Sequence, residues 1–287
     1  MQLVKNYKEN KELRDSFNKL AEAIFGLNFE NWYQSGYWRE NYIPYSIIED
    51  GKIVSNVSVN HTKMLIDSKE RFYIQLGTVM TYEEYRNRGY VRKLMEEVMR
   101  DYSEKVDGIY LFANDTVCDF YPKFGFEIGK EYQYTKELQN DGECQFVKHI
   151  MNGKADWNAL EGVMNANICH GKMDMIGNND LIMFYATQFM AEDVYYHEAT
   201  DTYIIAEIED DRAFVHNVFS STLNNLEVVL ELLGKEIKFI TLGFVPLNPE
   251  KYQKIELKEE DTTFFIQGKE LKKIEEEYLR IPSLAHA

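Results

Sequence analysis

The sequence predicts a mixed α/β fold, and three observations carry that prediction. Residues 73–113 contain a β-like segment, a loop rich in arginine and glycine, an amphipathic helix and a short buried strand. Residues 203–245 repeat the order strand, strand, helix, strand more weakly. Apolar side chains recur at helical spacing in the predicted helices and alternate or run together in the predicted strands. This pattern favours mixed sheets with helices packed on their faces.

The first predicted element is an amphipathic helix over residues 11–25. An aromatic-rich segment follows it, made of Phe29, Trp32, Tyr33, Tyr37, Trp38, Tyr42 and Tyr45. Each ring taken singly is expected to pack in the core. As a group, the rings are the favoured wall of a site for a cation or an amphipathic amine. Trp32, Tyr37 and Trp38 are the named candidates for contacting that acceptor.

Strand-like alternation continues over residues 47–60 and 62–66, around a turn at Asp50-Gly51 and with a break near His61. At the end of such a strand, His61 is a candidate for facing a cleft and accepting a proton. A structural histidine, held by hydrogen bonds, is the favoured alternative.

The loop after the next strand carries the clearest chemical signal. It reads Arg86-Asn87-Arg88-Gly89-Tyr90-Val91 and opens a helix predicted to begin near Val91. A helix N-terminus presents unpaired N–H groups to an anion, and a glycine lets the backbone approach closely. Arg86, Arg88, Arg92 and Lys93 add positive charge, so the loop suits a pyrophosphate.

Two further motifs follow. The apolar strand predicted over residues 108–113 ends at Asn114, and a turn then reads Tyr121-Pro122-Lys123-Phe124-Gly125-Phe126. In their order along the chain, the loop, the strands, Asn114 and this turn resemble the GNAT acyltransferase superfamily, whose members transfer acetyl from acetyl-CoA to an amine. The resemblance covers residues 10–138. One departure is Val91, which stands where the family prefers glycine or alanine.

The resemblance implies roles for particular residues. Tyr121 is the candidate acid that protonates the departing thiolate. Val79, Met80 and Thr81 lie where the family's splayed fourth strand pairs with the pantetheine arm, and amides there are candidates for oxyanion stabilisation. The implied acetyl-CoA contacts are Val79, Met80, Thr81, Arg86, Asn87, Arg88, Gly89, Tyr90, Val91, Arg92 and Asn114.

The second half of the chain is predicted to be a degenerate GNAT-like domain. A polar linker over residues 139–143 separates domains predicted at 1–138 and 145–287. Strands at 203–207 and 213–219, a helix at 223–233 capped by Gly234 and a strand at 237–245 echo the first half. The stretch 220–224 between strand and helix holds neither glycine nor arginine, so no second cofactor is expected.

Composition narrows the functional class. The 287 residues carry a net charge of −16, which argues against a nucleic-acid partner. That charge mildly favours a cationic acceptor, although ordinary acidic solubility explains it equally well. The cysteines form no CxxC pair and the histidines show no metal-ligand spacing, so no metal is predicted. With no membrane-spanning run and no signal-like N-terminus, the expected location is the cytoplasm.

The predicted function is direct transfer of acetyl from acetyl-CoA to a primary amine of a small molecule or peptide, through a ternary complex. The alternative is a noncatalytic acyl-CoA-binding or regulatory module, and Tyr121 favours the enzyme because a binder needs no proton donor. Cys118 is expected to be a packing residue rather than a nucleophile. The general base stays open among Glu30, Glu40, His61, Glu83, Glu84, a water chain and the terminal carboxylate of Ala287.

Overall fold

Two mixed β-sheets organise the computed structural model of this protein, which describes residues 1–286. The first sheet contains β1 (Gln2–Lys5), β2 (Tyr42–Glu49), β3 (Lys52–Ile66), β4 (Lys69–Thr81), β5 (Gly108–Ala113), β6 (Glu127–Ile128), β9 (Met173–Ile176) and β15 (Thr263–Gln267). The second contains β7 (Tyr132–Glu137), β8 (Val147–Lys148), β10 (Val194–His197), β11 (Thr202–Glu209), β12 (Arg212–Ser220), β13 (Phe239–Leu242) and β14 (Gln253–Glu256). A mixed α/β fold is therefore confirmed.

Helices cover the sheets and connect their strands. They are α1 (Lys11–Phe25), α2 (Glu30–Gln34), α3 (Tyr90–Tyr102), α4 (Lys154–Asn165), α5 (Asn179–Phe184), α6 (Leu226–Glu231) and α7 (Lys273–Glu276). One turn of π-helix over Tyr185–Phe189 extends α5. None of the helices within residues 1–286 has the length and apolarity needed to cross a bilayer.

The two long helices of the first half follow the predicted periodicity. The Asn10 side chain caps α1 by accepting a hydrogen bond from the Leu13 amide, and α1 buries Phe17 and Leu20. The helix α3 begins one residue before the predicted start and buries its Leu94 face. The buried residues of α1 and α3 belong to different core clusters, because the two helices pack on opposite faces of the first sheet.

The predicted strand break near His61 is wrong. Strand β3 runs through this residue, which pairs with Ile74 of β4. The His61 amide donates to the Asn41 carbonyl at 2.8 Å. Pairing on both sides keeps the strand extended, although histidine breaks the apolar alternation on which the prediction rested. The turn at Asp50-Gly51 is as predicted, with both residues at positive φ (52° and 77°).

The two sheets share one topology. In the first, β4 leads through α3 to β5, and the two strands pair in parallel. In the second, β12 leads through α6 to β13 in the same way. The predicted order of elements in the second half is thereby confirmed. Helix α6 is shorter than predicted, because the Asn225 side chain accepts from the Glu227 amide and starts the helix there.

The two halves exchange a strand. Strand β15, near the C-terminus, lies between β5 and β6 of the first sheet. Reciprocally, β7 leaves the first half and lies between β13 and β14 of the second sheet. At these two strands the sheets therefore do not follow the predicted domain ranges 1–138 and 145–287. Each strand pairs with partners that lie far away in sequence.

The exchange yields a first prediction. Phe265 of β15 is fully buried among residues of the first half, so Phe265→Ala should lower the free energy of unfolding by about 3–5 kcal/mol. Urea unfolding followed by tryptophan fluorescence measures this, in a Trp157→Phe background that leaves only the tryptophans of the first half, Trp32 and Trp38.

A matched control is Ile255→Ala on β14 of the second sheet, where the side chain is 41% exposed. Its effect should stay within about 0.5 kcal/mol. A Phe265→Ala protein whose first-half tryptophans unfold as in the parent would contradict the exchanged arrangement.

Candidate active site

A cavity of about 740 Å³ opens where β4 and β5 separate. The two strands pair only from Tyr73–Gly108 to Leu76–Leu111, although β4 continues to Thr81. Beyond Leu76 the edge of β4 that faces β5 has no strand partner, so its main-chain groups remain open for pairing. Residues 77–81 and 112–114 line the cavity at this gap.

A β-bulge shapes the cavity wall on β4. The register with β3 shifts between Asn56 and Ser58, and Thr78 adopts a left-handed φ of 47°. A β-branched residue at positive φ is strained and persists only where its surroundings hold it. Here the buried Asn56 side chain donates to the Thr78 carbonyl at 2.9 Å, and the Thr78 hydroxyl shares a 2.6 Å hydrogen bond with Tyr42. The bulge is therefore fixed from both sides.

The loop before α3 presents a helix N-terminus without a side-chain cap. Gly89 has a φ of 77° and precedes the first helical residue, and no side chain occupies the amides of the first turn. A Cβ at Gly89 would meet nothing within 4 Å, so the space in front of the loop is open. Arg86 lines the cavity, and its Nε donates to the Thr81 carbonyl at 3.4 Å. The arrangement suits an anion.

The predicted loop residues divide into two groups. Arg86 and Val91 line the cavity. Arg88 instead turns toward β2, where it pairs with Glu49 at 3.2 Å, and the Tyr90 hydroxyl donates to the same carboxylate. Asn87, Arg88, Gly89, Tyr90 and Arg92 do not line the cavity. Within residues 1–286, Arg92 forms no ion pair and lies over the Phe124 ring at 5.7 Å.

Tyr121 lies at the cavity with its ring held by three others. Phe120 and Phe126 contact it edge-on, and Phe265 of β15 packs at 5.4 Å between ring centroids. Burial raises the pKa of Tyr121 to about 12, so the hydroxyl keeps its proton at neutral pH. The Gln267 side chain, also on β15, donates to the Phe124 carbonyl at 2.9 Å and fixes the turn.

Asn114 is positioned by the second half of the chain. It lines the cavity, and its side chain donates to Asp261 at 2.8 Å. The other oxygen of Asp261 accepts from the Asp115 amide at 2.8 Å. Cys118 lies nearby, with its sulfur 3.3 Å from the Thr263 hydroxyl, and does not line the cavity.

Two rings of the aromatic group predicted as the acceptor wall, Phe29 and Tyr42, line the cavity. Of the four named candidates, Trp32 lines it and Tyr37, Trp38 and His61 do not. Trp32 is held by a hydrogen bond. Its indole N–H donates to the Asp180 carbonyl at 2.9 Å. Trp38 packs behind it and donates to the Tyr42 carbonyl, while the Tyr37 hydroxyl points toward Glu161. His61 lies on the α3 side of the sheet, 2.9 Å from the Tyr102 hydroxyl, where burial lowers its pKa.

Sequence reasoning missed the residues that the second half contributes. Leu181, Phe184, Tyr185 and Phe189, from α5 and the π-helical turn, line the cavity opposite α1 and α2. Phe29 and Phe184 stack at 5.3 Å with an interplanar angle of 6°. The apolar character of residues 181–189 is visible in the sequence, but no local pattern assigns that segment to a wall of the first sheet's cavity.

The predicted base candidates lie outside the cavity. Glu30 pairs with Arg14 at 2.8 Å, and Glu40 pairs with Lys8 at 2.6 Å. Glu83, Glu84 and His61 do not line the cavity either. Within residues 1–286, no other Asp, Glu or His side chain lines it. The carboxylate of Ala287 lies outside the described residues. No set of three or more His, Cys, Asp or Glu in that part of the chain could hold a metal ion.

Comparison with known proteins matches part of the first half to a family model. Residues 8–129 match the family model of the acetyltransferase (GNAT) domain. None of the curated proteins matches the sequence.

Solved structures show the same fold over nearly the whole chain. A probable N-acyltransferase of unknown function from Enterococcus faecalis is 16% identical, with a TM-score of 0.61 over 95% of this chain and 73% of that one. A GCN5-related N-acetyltransferase from Kribbella flavida is 12% identical, with a TM-score of 0.55 over 95% and 73%. Eis1 from Mycobacterium abscessus is 12% identical, with a TM-score of 0.54 over 92% and 73%. The GNAT fold predicted from the sequence is confirmed, and two sheets of like topology agree with a tandem arrangement.

Proposed function

Because residues 8–129 form a GNAT acyltransferase domain, we propose that this protein transfers acetyl from acetyl-CoA to a primary amine of a small molecule or peptide. The observation that carries the proposal is one continuous cavity. It joins Arg86 and Val91, at the uncapped N-terminus of α3, to Tyr121 through the gap between β4 and β5. A phosphate-binding end and a proton donor thus share one space.

The residues present fit a coenzyme A moiety. Pyrophosphate oxygens would accept from the first-turn amides of α3, beside the exposed cations Arg86, Arg92 and Lys93. The pantetheine amides would pair with the open edge of β4 at Val79, Met80 and Thr81, as an added strand pairs with a sheet edge. Asn114, held by Asp261, lies across the gap from that edge.

The transfer step follows from the groups at the gap. The amine nitrogen attacks the thioester carbonyl carbon, forming the C–N bond. As the tetrahedral species collapses the C–S bond breaks, and the sulfur takes the Tyr121 proton. Main-chain amides at the Thr78 bulge stabilise the negative charge that develops on the carbonyl oxygen. Because the pKa of Tyr121 is about 12, its hydroxyl enters the step protonated.

The ammonium form of the amine must lose one proton before it attacks, and the nitrogen loses a second proton after the C–N bond forms. That second proton, relayed by water, restores the Tyr121 hydroxyl. No carboxylate or imidazole side chain of the described residues lines the cavity, so water is the base that we propose. The amine is then delivered neutral, and its desolvation in the cavity favours that form.

The first test of the cofactor site is Gly89→Asp. Aspartate tolerates positive φ, but its carboxylate would lie against the phosphates, where like charges repel. We expect acetyl-CoA binding, measured by calorimetry, to weaken roughly a hundredfold or more.

Gly51→Asp is the matched control, because Gly51 has the same φ of 77° and equally open surroundings in the β2–β3 turn. That variant should bind as the parent does. Unchanged affinity in Gly89→Asp would show that the phosphates lie elsewhere.

Binding stoichiometry tests the degenerate second half. The loop before α6 has neither glycine nor arginine, and the Asn225 side chain already occupies an amide of the first turn. Calorimetry should therefore give one acetyl-CoA per chain, and none for Gly89→Asp at the same concentrations. Two equivalents per chain would contradict the degenerate assignment.

Tyr121→Phe tests the proton donor. The ring contacts with Phe126 and Phe265 persist while the proton is lost, so kcat and kcat/KM should fall together with acetyl-CoA affinity unchanged. We expect a fall of ~10²–10⁴-fold, measured as thiol release with a responsive amine.

Tyr195→Phe on β10, a half-buried tyrosine outside the cavity, serves as the control and should keep the parent rate. A parent rate in Tyr121→Phe as well would assign protonation to another group. For a noncatalytic acyl-CoA-binding module the result differs: acetyl-CoA binds, yet no amine supports thiol release in the parent protein.

A further inference from the structure

The cavity has two chemically different ends. The phosphate end opens at the N-terminus of α3, which packs on one face of the first sheet. The other end lies among residues that pack with α1, on the opposite face. We call it the apolar end, and it consists of Ile24, Phe25, Leu27, Phe29, Trp32, Tyr42, Leu181, Phe184, Tyr185 and Phe189. A donor bound by its phosphates at α3 presents its acyl group toward the apolar end, so the acceptor meets it there.

The polar side-chain atoms of the apolar end are already engaged. The Trp32 N–H donates to the Asp180 carbonyl, and the Tyr42 hydroxyl bonds with Thr78. The Tyr185 hydroxyl donates to the His286 carbonyl. What remains open to a ligand is aromatic and aliphatic surface, which favours an apolar group over a hydroxylated one.

Asp180, which precedes Leu181 of this wall, and Glu161 are also engaged. Arg39 pairs with Glu161 at 2.6 Å and with Asp180 at 3.3 Å, and the Asn41 amide donates to Asp180 at 3.0 Å. A ligand with several ammonium groups would bury charges without carboxylate partners, which is strongly unfavourable. The mild preference for a cationic acceptor, read from the net charge, does not extend to a polycation in this cavity.

We propose, on the basis of the proposed function, that the acceptor is a monoamine with an arylalkyl or branched alkyl body, such as 2-phenylethylamine. The body occupies the apolar end, and the single amino group points toward the gap and Tyr121. Phe25 and Phe189, which are 45% and 54% exposed, form the rim through which such an amine enters.

The test compares amines by thiol release from acetyl-CoA. We expect kcat/KM for 2-phenylethylamine to exceed that for ethylamine by roughly ten- to hundredfold, the gain expected from burying an aromatic ring. Spermidine and kanamycin, which carry several ammonium groups, should be poorer than 2-phenylethylamine. A polyamine or aminoglycoside that is used as well would overturn this inference and leave the proposed function intact. If no amine supports release, both fail.

A second arm separates the acceptor from the acyl chain as the occupant. With ethylamine as acceptor, hexanoyl-CoA is compared with acetyl-CoA. We expect acetyl-CoA to be used at least as well. A clear preference for hexanoyl-CoA, together with no preference for the aromatic amine, would assign the apolar end to a longer acyl group and overturn the proposal.

Phe189→Ala localises the effect with little risk to folding, since the side chain is half exposed. The KM for 2-phenylethylamine should rise about threefold or more, and by a larger factor than the KM for ethylamine. Ile150→Ala, at a residue 63% exposed and outside the cavity, is the matched control and should change none of these values. An unchanged KM for 2-phenylethylamine in Phe189→Ala would exclude the proposed route of entry.

Discussion

The reciprocal exchange of β7 and β15 is the constraint on which the rest of this structure depends. Without β15 the first sheet would end at β5, and the turn that carries Tyr121 would lose its support. The stretch from Asp261 to the end of β15 supplies three side chains. Asp261 orients Asn114, Phe265 packs under Tyr121, and Gln267 holds the turn. Three separate contacts at the candidate site therefore come from a stretch of seven residues in the other half of the chain.

Charge is distributed so that the two ends of the cavity favour different partners. In a chain with a net charge of −16, Arg86, Arg92 and Lys93 collect at the uncapped end of α3 without carboxylate partners among residues 1–286. At the other end no Asp or Glu side chain of the described residues lines the cavity, and Glu161 and Asp180 pair with Arg39, which leaves an aromatic wall without charged side chains. Local pairing thus decides the electrostatics of each end, and the overall charge does not.

Sequence reasoning predicted what local periodicity and turn chemistry determine. The α3 loop, its helix and the Tyr121 turn lie where the patterns indicated, because the apolar spacing of Leu94 and Val98 and the positive φ of Gly89 are local requirements. It missed the place of β15 and the wall formed by Phe184 and Phe189. Strand partners and cavity walls depend on contacts between distant segments, which no local pattern records. At His61 the local pattern misled the prediction. The apolar alternation is interrupted there, but pairing with β4 keeps the strand continuous.

The exchanged strand also sets the order of events during synthesis. A ribosome completes the loop before α3 and the turn that carries Tyr121 long before it reaches Phe265, yet the first sheet stays open at β5 until then. Contacts of such long sequence separation form late and slowly. A nascent chain, or one terminated before Phe265, would therefore hold the loop before α3 and Tyr121 without the strand that packs beneath the tyrosine.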